Sequence, residues 1–130
     1  MAANLHRLAV QAMAKAHAPY SRFRVGAAIL TSDGRTYSGC NIENASYPEG
    51  WCAETTAIGH LIMDGGGRVD EVAVVCEKMP RITPCGGCRQ RLAEFGNAQT
   101  RVHLCDMEGV VETVTLGALL PLAFDMEGIE

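Results

Sequence analysis

Val72-Ala73-Val74-Val75-Cys76 is an unbroken apolar run. A strand with one face in water alternates apolar with polar residues, whereas a strand covered on both faces reads as continuous hydrophobe. The run therefore predicts a central strand of a sheet that is covered on both sides.

The flanks of this strand carry helical patterns. Upstream, Cys52 opens a helix that runs to about Asp64, where Gly65-Gly66-Gly67 terminates it. Downstream, a loop through Pro80 and Pro84 leads to Cys85, and Cys88 to Phe95 reads as a further helix with Leu92 and Phe95 facing inward. Farther upstream, Arg24–Thr31 and Arg35–Asn41 are β-compatible segments around the turn Ser32-Asp33-Gly34, a predicted hairpin. Glu43 to Gly50 is loop by its Asn44, Ser46, Pro48 and Gly50. Leu5, Leu8, Ala9, Ala12, Met13 and Ala16 recur at helical spacing and give an opening amphipathic helix ended by His17-Ala18-Pro19. Toward the other end, Arg101–Cys105 and Val110–Val114 read as strands around Glu108-Gly109, and Leu116–Leu120 as a short helix stopped by Pro121. Asp125–Glu130 carries little packing signal. Helices alternating with buried strands predict an α/β three-layer sandwich with a central sheet of about five strands. With 130 residues and no linker or repeat, residues 1–130 are expected to form a single domain.

A formal charge of −4 without any lysine or arginine block gives no footprint for nucleic acid or for a membrane surface. A small, roughly neutral substrate fits better. The start of the chain lacks the apolar run and cleavage site of a signal peptide, and no stretch reaches the ~18 apolar residues of a membrane span, so a cytoplasmic location is expected. Six cysteines in a reducing compartment read first as metal ligands or buried thiols.

Three of these cysteines have a pattern that carries chemistry. Cys52-Ala53-Glu54 is followed some thirty residues later by Pro84-Cys85-Gly86-Gly87-Cys88, which supplies three thiolates and one carboxylate. Three thiolates hold a zinc ion and leave its fourth tetrahedral position for water, as in catalytic zinc sites. Glu54, two residues after Cys52, projects to another side of the helix and is better placed beside that water than on the metal. This layout is the signature of zinc deaminases, in which the glutamate is the general acid and base and not a ligand. The competing reading is a closed zinc knuckle with Glu54 in solvent, which requires a fourth Cys or His. Both half-sites fall at predicted helix starts, where unpaired N–H groups and the helix dipole favour thiolate over thiol. Cys76 and Cys105 end apolar runs and are expected to be small buried hydrophobes. His60 is expected on a helix face, and His6, His17 and His103 form no constellation in the sequence.

With these residues placed, the chain resembles the small homotetrameric cytidine deaminases from about Pro19 to Phe124. The blocks that carry the resemblance are 19–28 (PYSRFRVGAA), 39–48 (GCNIENASYP), 52–54 (CAE), 84–90 (PCGGCRQ) and 119–124 (LLPLAF). It implies hydrolytic deamination of cytidine and 2′-deoxycytidine to the uracil nucleosides in pyrimidine salvage. One Zn2+ per subunit is implied, on Cys52, Cys85 and Cys88, with Glu54 catalytic. Asn41 and Glu43 match the family's ribose-binding pair, Phe23 its ring wall, and the backbone of Ala53 a contact to the base. Tyr47 and Phe124 match positions that reach a neighbouring subunit's site, so the resemblance implies a homotetramer with shared active sites. Without the family, Asn41 and Glu43 suit the two hydroxyls of a sugar or form a strand-end turn with a solvated glutamate. Phe23 and Phe124 alone would read as core.

The chain also departs from the family. Many relatives carry an arginine directly after the catalytic glutamate, which offsets the negative charge of a three-cysteine site; here the position is Thr55. Thr55, Thr56, the helix-start N–H groups, Arg89 and Arg91 are the candidates for that role. Glu49 and Trp51 stand where relatives have smaller or aliphatic residues, and the indole reshapes the base pocket or packs at a subunit contact. A related zinc aminohydrolase on another aminopyrimidine, similar to blasticidin S deaminase, is the alternative enzyme. Those relatives also lack the arginine after the glutamate, but they do not typically keep the Asn-x-Glu pair seen here as Asn41 and Glu43. A non-enzymatic zinc-stabilised interaction domain predicts a saturated metal with no role for Glu54, and editing of single-stranded nucleic acid lacks its basic groove.

Overall fold

The computed structural model describes residues 2–126. In chain order its elements are α1 (Ala2–Met13), β1 (Val25–Thr31), β2 (Thr36–Cys40), a single 3-10 turn at Tyr47–Glu49, α2 (Ala53–Met63), β3 (Val69–Cys76), α3 (Gly86–Phe95), β4 (Arg101–Cys105), β5 (Val110–Thr115) and α4 (Leu116–Leu119). The five strands form one sheet in the order β2-β1-β3-β4-β5, which puts the apolar run at its centre. Only β3 and β4 run parallel, because α3 provides the crossover that a parallel pair needs. The other neighbours are antiparallel.

Alternation along the strands divides the core in two. Ala73 and Val75 of β3 face α1, where they meet Ala28, Leu30 and Cys105 of the neighbouring strands and Leu5, Ala9 and Met13 of the helix. Val72 and Val74 face the other way, with Ile29, Val102 and Leu104, under Ala57, Ile58 and Leu61 of α2, Leu92 of α3 and Leu116 of α4. One helix below and three above make the three layers. Cys76 and Cys105 are fully buried thiols, as their positions in the sequence predict.

Two glycines allow the layers to approach. A Cβ on Gly26 would stand 1.9 Å from the carbonyl oxygen of Ala9, so α1 lies directly on β1. A Cβ on Gly39 would stand 2.5 Å from the amide of Ala57 and 2.6 Å from the carbonyl oxygen of Ala53, so α2 also lies directly on β2, slightly less tightly.

The structure moves several boundaries. The first helix closes at Met13, three residues before the end of the apolar repeat, because bonds from Lys15 N–H to Ala12 O (2.9 Å) and Ala16 N–H to Met13 O (3.1 Å) tighten the last turn. Strand β3 begins at Val69, three residues before the apolar run, since Asp70 is exposed and Glu71 is buried on a polar partner. Helix α3 starts at Gly86. The loop after Glu43 holds the 3-10 turn, with Pro48 inside it. Of the tail segment, residues 127–130 lie outside the described residues.

Candidate active site

The site is built where two helices begin. Cys52 caps α2 and Cys85 caps α3, both with extended backbone, and Cys88 lies in the first turn of α3. Each start is tied down locally. Thr56 Oγ1 donates to Cys40 O at 2.9 Å, fastening α2 to β2. Arg89 donates to Pro84 O at 2.8 Å and to Leu119 O at 2.9 Å, fastening the loop before Cys85 and the end of α4 to α3.

The three sulfurs lie within 4.8 Å of one another, with Cys52 Sγ and Cys85 Sγ 3.7 Å apart. Tetrahedral zinc with Zn–S bonds of about 2.3 Å requires sulfurs about 3.8 Å apart, which the Cys52–Cys85 pair matches and the spread of the three is compatible with. Among the described residues it is the one Cys, His, Asp or Glu cluster of that kind, and His60 is no part of it. Without the metal the thiols differ in how readily they ionise. A hydrogen bond from Cys88 holds the Cys52 thiol below its ordinary pKa, while that same bond and burial push Cys88 up. Metal binding removes the remaining protons.

Glu54 occupies the first turn of α2 and is only 3% exposed. Burial pushes its carboxyl above the usual range. A bond from its own backbone, a hydrogen bond with Cys88 and the charge of Arg91 oppose that push without cancelling it. Such a group holds a proton more readily than a free carboxylate. It stands beside the cluster, and among the described residues no fourth sulfur or imidazole joins the set.

The residues carried over by resemblance fall into two groups. Asn41, Glu43 and Phe23 come together with the segment from Tyr20 to Val25. Asn41 Oδ1 accepts from Val25 N–H at 2.9 Å, and its Nδ2 donates to Phe23 O at 2.8 Å. Glu43 Oε1 accepts from the backbone N–H groups of Tyr20 (3.0 Å) and Ser21 (3.1 Å), and its other oxygen from Ser21 Oγ. These bonds, the hydroxyl first, hold the Glu43 carboxyl below its ordinary pKa. The segment they clamp includes Arg22 in a left-handed conformation at φ 59°, which puts Phe23 half-buried after a strained turn. Both side chains thus serve the backbone of this loop. An amide N–H and lone pairs on both groups are still left for a ligand. The Asx turn weighed from sequence is not what forms, because Asn41 bonds to a different segment.

The second group faces outward. Tyr47 is 75% and Phe124 71% exposed. Tyr47 meets Tyr20 edge to face with ring centroids 6.3 Å apart. These two tyrosines, with Ser21, Glu43, Asn44 and Gly50, line a cleft of about 340 Å³. Gln90 Nε2 donates to Phe124 O at 3.0 Å, which ties this end of the chain to the metal-bearing helix. Ala53 is buried directly after Cys52.

Sequence reasoning missed what aligns the halves. Ile42 pairs with Trp51 through two 2.8 Å backbone bonds and bridges His17 on its other side, so Asn41 and Glu43 are locked beside Cys52. Trp51 is 52% exposed, and its backbone does the aligning. Nor does spacing reveal Ser21 as the partner of Glu43, although it lies in one of the quoted blocks.

A three-layer α/β fold that brings three thiolates and a buried glutamate together at two helix starts is the framework of a zinc aminohydrolase. The family described as "Cytidine and deoxycytidylate deaminase zinc-binding region" matches residues 1–104. A cytidine deaminase of Halalkalibacterium halodurans is 45% identical over 119 residues, 92% of this chain and 90% of that protein. The crystal structure of cytidine deaminase from Burkholderia pseudomallei superposes with a TM-score of 0.87 at 45% identity, covering 93% of this chain and 97% of that one. That of cytidine deaminase from Mycobacterium tuberculosis does so with 0.85 at 43%, covering 94% and 95%. The chain belongs to the cytidine deaminase family. It is accordingly a hydrolytic deaminase with one zinc ion per chain, for which Cys52, Cys85 and Cys88 are the ligand set. Among the described residues, no helix is long and apolar enough to cross a membrane.

Proposed function

We propose that this enzyme hydrolyses the exocyclic amine of free cytidine and 2′-deoxycytidine, giving uridine or 2′-deoxyuridine and ammonia. The observation that carries the reading is Glu54, buried to 3% exposure beside Cys88 and with its carboxyl pushed up by that burial. Zinc on the three thiolates supplies water acidic enough to attack at neutral pH. Glu54 would take one proton from the attacking water and deliver it to N3 of the cytosine ring, then take the second from the new C4 hydroxyl and deliver it to N4, so that the C–N bond breaks as the C4 carbonyl forms and ammonia leaves. A group that must act as base and then acid works best with its pKa moved toward the operating pH. The half-buried Asn41 and Glu43 present spare hydrogen-bonding capacity to the sugar hydroxyls, Phe23 walls the ring, and the backbone of Ala53 meets the base.

Tyr47 and Phe124, both largely exposed, reach the sites of neighbouring copies in a homotetramer. A single catalytic domain then contributes to more than one site. All six cysteines are free thiols, which suits a cytoplasmic enzyme of pyrimidine salvage. Neither nucleic acid nor a membrane is a partner in this reading. The exposed Trp51 directly before Cys52 favours one second reading, another aminopyrimidine as substrate.

The test is Glu54→Gln with cytidine and 2′-deoxycytidine. The expected result is unchanged zinc content by metal analysis and a kcat lower by at least about a thousandfold. Activity within a few-fold of the parent would overturn the role of Glu54. A zinc-loaded parent inert on both nucleosides but active on a different aminopyrimidine would establish the second reading.

A further inference from the structure

Three thiolates on a divalent ion leave one net negative charge, and the sulfur of Cys88 is the most deeply buried of the set, with 0% exposure. A buried anion is costly unless a donor or a cation meets it. Five sources of that compensation are compatible with the sequence, and the geometry sorts them. Arg89 spends its guanidinium on Pro84 O and Leu119 O. Thr56 spends its hydroxyl on Cys40 O at 2.9 Å and Cys52 O at 3.4 Å. The amides of Thr56 and Arg89 close the first turns of their helices on Cys52 O and Cys85 O, and the amides before them, which have no intrahelical acceptor, offer partial charge at both helix starts but no full cation. Two side chains remain, and both reach the same atom: Arg91 Nη1 donates to Cys88 Sγ at 3.8 Å, and Thr55 Oγ1 lies 3.8 Å from it.

We propose that Arg91 is the positioning cation of this metal centre, folding back over the first turn of α3 to stabilise the Cys88 thiolate, with Thr55 as its neutral companion from α2. The guanidinium lies close over Gly87, where a Cβ would stand 3.1 Å from Arg91 Nη1. Charge-assisted hydrogen bonds of this kind fix the ligand and set how tightly the ion is held, and removing such a partner commonly weakens metal binding ~10- to 100-fold. Thr55 lies one residue after Glu54 and touches the same sulfur, so an arginine at that position would reach the thiolates from the opposite helix.

The inference rests on the zinc reading of the three cysteines, and the experiment separates the two. Zinc dissociation constants are measured by chelator competition for the parent, Arg91→Met, Arg91→Lys, Thr55→Val and the double variant Thr55→Arg/Arg91→Met, beside urea unfolding of the metal-free forms. Arg91→Met is expected to bind zinc about tenfold more weakly, with Arg91→Lys close to the parent and the double variant restored. Arg91 is exposed, so metal-free stability should not change, and the parent's advantage should narrow at about 1 M salt as the charge is screened. Parent-like zinc affinity in Arg91→Met would overturn the inference and leave the zinc site standing. Absence of zinc binding by the parent would overturn both.

Discussion

The two faces of the sheet are packed by the same rule and used for different ends. On the α1 face, small side chains of β1 and β3, Ala28 and Ala73 among them, sit under a helix brought close by Gly26. That helix supplies no member of the metal cluster. On the opposite face, larger residues such as Ile29, Val72 and Leu104 support α2 and α3, whose first turns hold Cys52, Glu54, Cys85 and Cys88. The difference teaches that one face supplies stability alone, while on the other a shift of helix position is also a shift of ligand position.

Substituting the two close-approach glycines is the strongest way to break this comparison. In Gly26→Ala the new methyl collides with backbone, Ala9 O at 1.9 Å and Met13 N at 2.7 Å, so α1 must lift. Overpacking on this scale costs about 3 kcal/mol, and urea unfolding of the metal-free protein should show it while the refolded fraction keeps parent-like zinc affinity. Gly39→Ala is expected to be milder for stability, about 2 kcal/mol, since its closest contact is 2.5 Å. Its zinc affinity should nevertheless fall, because Ala53 and Ala57, the residues it strikes, belong to the helix that Cys52 caps. Equal zinc affinities in the two variants would dissolve the distinction between the faces.

How much of this was legible in the sequence follows from the range of the interactions involved. The run at Val72–Cys76, the cysteine spacing and the glycine terminators are local patterns, and the central strand, the metal cluster and the end of α2 lie where they point. Position 71 was not legible. A glutamate before an apolar run reads as solvated loop, yet its side chain is buried because β4, thirty residues on, places His103 in reach. His103 formed no constellation in the sequence for the same reason. Asn41 and Glu43 were recognised as a pair. That both grip the segment from Tyr20 to Val25 depends on the bridge at Ile42, whose pairing no periodicity encodes. Thr55 was visible as a departure, but only the fold singles out Arg91 over Arg89.

The buried pair itself gives the smallest and most specific test. Glu71 lies on the α1 face of β3, its Oε1 2.7 Å from His103 Nε2 and its Oε2 accepting from Arg101 at 2.7 Å, while His103 Nδ1 lies 2.8 Å from Thr113 Oγ1. Burial pushes the carboxyl up, but the bonds from Arg101 and His103 outweigh it, so Glu71 titrates below its ordinary value. A depressed folded-state pKa contributes stability above the unfolded value, about 4.3, and that contribution is lost as pH falls through the folded value. Glu71→Gln should therefore be about 1 kcal/mol less stable than the parent at pH 7. The gap should close in urea titrations carried below about pH 4. Zinc affinity at pH 7 should be unchanged, because the partners of Glu71 and His103 are Arg101 and Thr113 and not the cysteines of the metal cluster. A stability gap independent of pH would mean that shape and not charge holds the pair, and a loss of zinc affinity would mean that the sheet transmits strain from one face to the other.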